Sequence, residues 1–171
     1  MTAPTLDTPD PAPAALRDDR VMPTSAMALG AAGVIPFVAL TVAALVQADA
    51  RLGLPSGFAR AGLVAYGVVI ASFLGGVRWG VGLLIPNREH APSLFVMSVL
   101  PPLVAWGALF MSRPHDLVVV IGCFLVLGVS DVALAWRGAA PRWYGTLRLA
   151  LTAAVVCTLL VALAMLPGAE G

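Results

Sequence analysis

Five stretches of this chain are nearly free of charge, and each is about as long as a bilayer is thick: residues 26–48, 61–85, 93–112, 117–136 and 147–166. About 20 residues at 1.5 Å per residue cross some 30 Å of hydrocarbon, so each run predicts a membrane-spanning helix. Apolar and polar positions do not alternate within them, and the runs are roughly twice the length of a barrel strand, which excludes a transmembrane β-barrel. The joining segments "DARLGLPSGFAR", "PNREHAP", "RPHD" and "RGAAPRWYG" are short and hold the prolines, glycines and charges. Connections this short force consecutive helices to run antiparallel. The predicted fold is all-α, an integral membrane five-helix up-and-down bundle forming one domain over residues 26–166.

The flanks read differently. Residues 1–25 contain five prolines and four aspartates with few large apolar side chains, a composition that predicts a disordered cytoplasmic tail. Residues 167–171 form a short second tail. "ADA" at 48–50 has the form of a signal-cleavage site, but the apolar run before it is longer than a cleavable signal uses, so it reads as an uncleaved anchor.

Composition sharpens the class. The chain is 60% hydrophobic and 11% charged, with a mean hydropathy of +0.94, against about 25% charged residues in a soluble domain. A net charge of +1 leaves no basic footprint, which excludes nucleic acid as a partner. The lipid bilayer is the first expected partner, and a membrane-protein partner or a second copy the next. All ten basic residues are arginines. Six of them (Arg17, Arg20, Arg88, Arg137, Arg142, Arg148) fall on the side of the N-terminus, and three (Arg51, Arg60, Arg113) on the other. The positive-inside rule then predicts N-terminus in and C-terminus out, as a multi-pass protein of a bacterial inner (plasma) membrane. Trp79, Trp136, Trp143 and Tyr144 gather toward that inner end as an interfacial belt.

The candidate chemistry lies in "SFLGGVRWGVG", residues 72–82, where Arg78 interrupts an apolar helix. Arg78 lies roughly 10 Å deep by helical rise, and Asp131 reaches a similar depth two helices later. An unpaired charge mid-membrane costs about 2.5–3.5 kcal/mol on the lenient insertion scale, which an opposite charge at matched depth offsets. Arg78 and Asp131 are therefore a candidate intramembrane ion pair, structural or substrate-facing; snorkelling of the guanidinium to the headgroups is the alternative. Gly67, Ala71, Gly75, Arg78 and Gly82 share one arc of their helix. Ser72, Gly76 and Gly80 form a second small-residue row, and Gly128 lies on the Asp131 face. Such rows predict close helix packing in lipid. Pro101 and Pro102 remove two backbone donors mid-span and predict a kink or break, as Pro36 does in the first helix.

Other chemistry is thin. Cys123 and Cys157 lie in apolar runs, His90 and His115 in separate loops, and no metal-binding spacing is present. There is no H-E-x-x-H, no G-x-S-x-G and no phosphate-binding loop, so no catalytic residue, metal or cofactor is expected.

The strings "YGVVIASFLGGVRWG", "SVLPPLVAWGAL" and "DVALAWRGAAPRWYGTLRLALTAAVVCTLLVAL" resemble an uncharacterised membrane family, domain of unknown function 3429, which includes mitochondrial transmembrane protein 69. The resemblance runs over residues 26–166. It implies a multi-span protein of bacterial inner or mitochondrial membranes and brings no activity with it. The expected function is a non-enzymatic scaffold, assembly or accessory partner of another membrane component. The alternatives are a small ion-coupled or solute transporter using Arg78 and Asp131, and, further off, a membrane enzyme acting on a lipid or quinone.

Overall fold

A computed structural model of the protein describes residues 21–84 and 91–165. These residues form six helices and no strand: α1 (Thr24–Leu45), the four-residue α2 (Ala48–Arg51), α3 (Phe58–Leu84), α4 (Ala91–Gly107), α5 (His115–Trp136) and α6 (Arg142–Met165). A single 3-10 turn (Ala108–Phe110) extends α4. With that turn added to α4, the five long helices are each long and apolar enough to span a membrane. The first 20 residues of the expected tail, the segment 85–90 with Arg88 and His90, and the residues after 165 lie outside the described residues.

The helix ends depart from the apolar runs in a consistent way. Hydropathy marks where lipid begins, whereas a helix ends where its backbone groups find other partners. Thus α6 starts at Arg142, five residues before its apolar run, and α3 starts at Phe58, three before. The N-terminus of α3 is capped from outside the helix: the Asp49 carboxylate accepts the Ala59 N–H at 3.1 and 3.4 Å, satisfying a donor that has no intrahelical acceptor. In turn, α1 stops at Leu45 rather than residue 48, because Gln47 turns into the left-handed region (φ 53°) and begins the short α2. At the other end of the bundle α5 closes in a Schellman motif. Gly138 at φ 74° lets the Ala139 N–H reach the Leu134 carbonyl and the Gly138 N–H reach Ala135.

Around the bundle, α1 packs on α3 and α6, α3 on α4, α4 on α5 and α5 on α6, while α3 and α5 also touch across the middle. These two helices run parallel and carry most of the core. Leu63, Val64, Ala71 and Leu74 from α3 meet Val120, Phe124 and Leu127 from α5. Phe37 of α1 closes the centre, with its ring edge-on to Tyr66 (4.8 Å between centroids) and Phe124 (5.6 Å). Lipid offers no hydrophobic drive for helices to associate, so contact area must come from close approach.

The small-residue rows divide accordingly. Gly67, Ala71, Gly75, Arg78 and Gly82 are all buried. A β-carbon at Gly67 would lie 2.7 Å from Val120 Cγ1, one at Gly82 would lie 3.1 Å from the Phe95 ring, and one at Gly128 would lie 2.6 Å from Thr152 Oγ1. Gly76 and Gly80 correct the expectation. A β-carbon at either meets nothing within 4 Å, and Ser72 and Gly76 are exposed, so this row faces out of the bundle. Burial on α3 follows the arc of Arg78, and at 100° per residue Gly76 and Gly80 fall on the opposite side.

Pro101 and Pro102 lie inside α4, which continues through both. The break is not seen; what the prolines do is free carbonyls. Pro102 has no N–H to donate to Ser98, four residues earlier, and the Ser98 carbonyl oxygen occupies the place where a β-carbon of Gly75 would stand, with Pro102 beside it. Helices α3 and α4 therefore meet backbone to backbone, an arrangement that favours a Cα–H···O contact. Pro36 likewise lies inside an unbroken α1, and the Tyr66 hydroxyl donates to the nearby Gly33 carbonyl at 3.1 Å.

Candidate functional site

Arg78 is six residues from the end of α3, Asp131 five from the end of α5, and Arg148 six into α6. By helical rise all three sit about 8–9 Å from the same end of the bundle. The structure brings them together. Arg78 Nη2 donates to Asp131 Oδ1 at 2.6 Å and reaches the Leu127 carbonyl at 3.4 Å, while Arg148 Nε donates to Asp131 Oδ2 at 2.7 Å. Each carboxylate oxygen is thus held by a guanidinium from a different helix. Asp131 is 0% exposed, Arg78 2% and Arg148 6%. Tyr144 stands beside the same carboxylate. Tyr144, a member of the candidate interfacial belt, reaches the cluster because it lies one turn before Arg148 on α6.

The cluster is over-supplied with positive charge, two guanidinium groups to one carboxylate. Arg78 Nε and Arg148 Nη2 are buried without a hydrogen-bond partner, and so is the hydroxyl of Thr152 one turn beyond Arg148. Buried donors ordinarily find acceptors, so these are the polar atoms of the cluster that the described residues leave without a partner.

Arg148 corrects the sequence reading, which placed it with the loop arginines. The signal that could have found it is periodicity: Gly145, Arg148, Thr152, Val155, Leu159 and Ala162 form one buried face of α6. Arg60 shows the same. Counted as a loop residue, it lies in the first turn of α3, 4% exposed, two helical turns before Gly67 on the seam. Its two terminal nitrogens grip Asp116 in a fork, at 2.5 Å to Oδ2 and 2.8 Å to Oδ1. The Leu117 N–H also donates to Oδ1 at 2.8 Å. This carboxylate sits in the first turn of α5, where the helix dipole favours negative charge. Thus α3 and α5 are clasped by an arginine–aspartate contact at both ends, with an apolar core between.

The remaining candidates fall outside this arrangement. Trp136 is 87% exposed at the end of α5, and Trp79 is 46% exposed and lies against Phe95; Trp143 is half-buried against Tyr144. A further exposed tryptophan, Trp106, sits near the opposite end against Phe110. Cys123 is buried and Cys157 exposed, both without a disulfide. Among the described residues no three of His, Cys, Asp or Glu are grouped as metal ligands.

Comparison with known proteins adds the lineage. The family described as "Protein of unknown function (DUF3429)" matches residues 22–164. A relative from Xenopus tropicalis, "Transmembrane protein 69", is 36% identical over 141 residues, which cover 80% of this chain and 53% of the relative. The chain thus spans about half the length of that relative. No solved structure matches. Five membrane-spanning helices, and a family match over nearly all of them, make this chain a multi-pass membrane protein belonging to the DUF3429 family.

Proposed function

We propose that the protein is a non-enzymatic accessory or assembly partner within the membrane, its intramembrane charges serving to hold its own helices in place. The observation that carries this reading is the closure of the cluster: Asp131 is 0% exposed and both its oxygens are occupied by arginines of neighbouring helices. A carboxylate that cycles ions or protons must exchange them with water, and a permanently charged double clamp opposes that exchange. What the protein offers a partner is its outer surface, including the small row Ser72, Gly76 and Gly80 flanked by exposed Phe73 and Trp79, where another helix, from a partner or a second copy, can approach closely. We place the N-terminus inside a bacterial plasma membrane. With Arg60 and Arg148 removed from the loop count, five arginines remain on that side against two on the other, so the bias persists.

The excess positive charge of the cluster supports the second reading, a small carrier of an anionic solute, in which Asp131 would be essential. Reconstitution separates the two. The accessory reading expects no Asp131-dependent flux in proteoliposomes, and a stoichiometric membrane complex or dimer, caught by cross-linking in native membranes, that Gly76→Leu disrupts. Solute flux lost in a folded Asp131→Asn variant would overturn it.

A further inference from the structure

Arg148, alone of the clustered charges, lines a crevice of about 140 Å3 among α1, α3, α5 and α6. Gly33 and Phe37 of α1, Phe73 of α3 and Leu151 of α6 line it, together with just two polar side chains, Arg148 and Thr152. Phe73 and Leu29 on its rim are exposed, so the crevice communicates with the lipid-facing surface. Three observations converge here. The cluster holds one positive charge more than its carboxylate can balance. The Arg148 Nη2 and Thr152 Oγ1 atoms are buried without partners, on residues more than nine-tenths buried. And the rest of the crevice wall is apolar and reached from the side of the bilayer.

We propose that this crevice binds a single-chain anionic amphiphile, a fatty-acid carboxylate. Its head accepts hydrogen bonds from Arg148 and Thr152 and neutralises the surplus guanidinium charge. Its tail runs past Gly33 and Phe73 into the lipid. Glycine at position 33 suits this path, because a β-carbon there would meet nothing within 4 Å and would project into open space. A single chain fits the narrow cleft beside α1 better than a doubly acylated phospholipid, whose headgroup belongs at the interface and not a turn and a half below the helix ends. The inference stands apart from the accessory-partner reading and does not depend on it.

The test uses the full chain in phosphatidylcholine nanodiscs, labelled with a palmitate analogue bearing a diazirine on its chain, with the adducts mapped by mass spectrometry. Labelling is expected on α1 near Gly33 and on α6 near Leu151, competed by palmitate and not by palmityl alcohol. Arg148→Gln should weaken it about tenfold or more, as loss of a charge-assisted hydrogen bond does. Gly33→Leu, which fills the crevice and leaves every charged contact intact, should do the same, so the test survives if Arg148→Gln does not fold. Gly76→Leu, on the outer face, should leave labelling unchanged. Labelling that persists in Gly33→Leu, equal competition by the alcohol, or preferential competition by phosphatidylglycerol would each overturn the proposal.

Discussion

Asp131 is the keystone of one end of the bundle, and its replacement by Asn tests why. The substitution keeps shape and removes charge, leaving Arg78 and Arg148 facing one neutral amide from within the bundle. Breaking one buried ion pair from one side costs about 3–5 kcal/mol, chiefly because an uncompensated charge stays behind. Two pairs break here, but both guanidinium groups lie only about 9 Å from the helix ends and recover part of the loss by snorkelling, so about 4–6 kcal/mol is expected. Removing a single arginine behaves differently. Arg78→Met or Arg148→Met leaves Asp131 paired with the remaining arginine as a neutral unit, with the Met stem filling much of the space. That cost should stay near 1–2 kcal/mol, within the ordinary range for a point mutant. The all-apolar triple Arg78→Met, Asp131→Leu, Arg148→Met should come within about 2 kcal/mol of wild type, because desolvation of buried charges consumes most of their attraction. SDS-titrated unfolding in mixed micelles, followed by tryptophan fluorescence, measures all four. An Arg78→Met variant as unstable as Asp131→Asn would refute the shared-carboxylate account. Exchanging Arg78 and Asp131 should not rescue stability either, since an arginine at 131 would face Arg148.

Gly75→Ala should be the most damaging glycine substitution on α3, because its β-carbon meets the Ser98 backbone oxygen rather than a movable side chain. The loss should reach or exceed the about 1–3 kcal/mol typical of overpacking, whereas Gly76→Ala should be neutral or stabilising in the same unfolding assay. Arg60→Lys keeps the charge but cannot reproduce the two-nitrogen grip on Asp116. Loss of one charged hydrogen bond predicts about 1.5–3 kcal/mol, and a wild-type unfolding midpoint would contradict it. In a background without Cys123 and Cys157, Gly138→Cys and Ser112→Cys should react with a membrane-impermeant maleimide from opposite sides of sealed vesicles, Gly138→Cys from the inside. Labelling of both from one side would refute the antiparallel order of α4 to α6.

Class and span count are legible along the chain alone. Five apolar runs and four short connections leave an up-and-down bundle as the available architecture, because a spanning segment must satisfy its backbone within itself. The sequence also placed Arg78 and Asp131 at one depth, since rise per residue is a local property. The lateral arrangement came from packing. Two small-residue rows on α3 look equivalent along the chain, yet only the row of Gly67 and Gly75 is packed, because which face turns inward depends on neighbours that periodicity does not name. Arg60 reads as a loop charge because hydropathy measures contact with lipid, and α3, which begins before its apolar run, carries it into the interior. Arg148, second in its run, reads as an end charge for the same reason. The prolines of α4 announced a disturbed helix. That the freed Ser98 carbonyl would meet Gly75 was settled only when two distant segments were laid side by side.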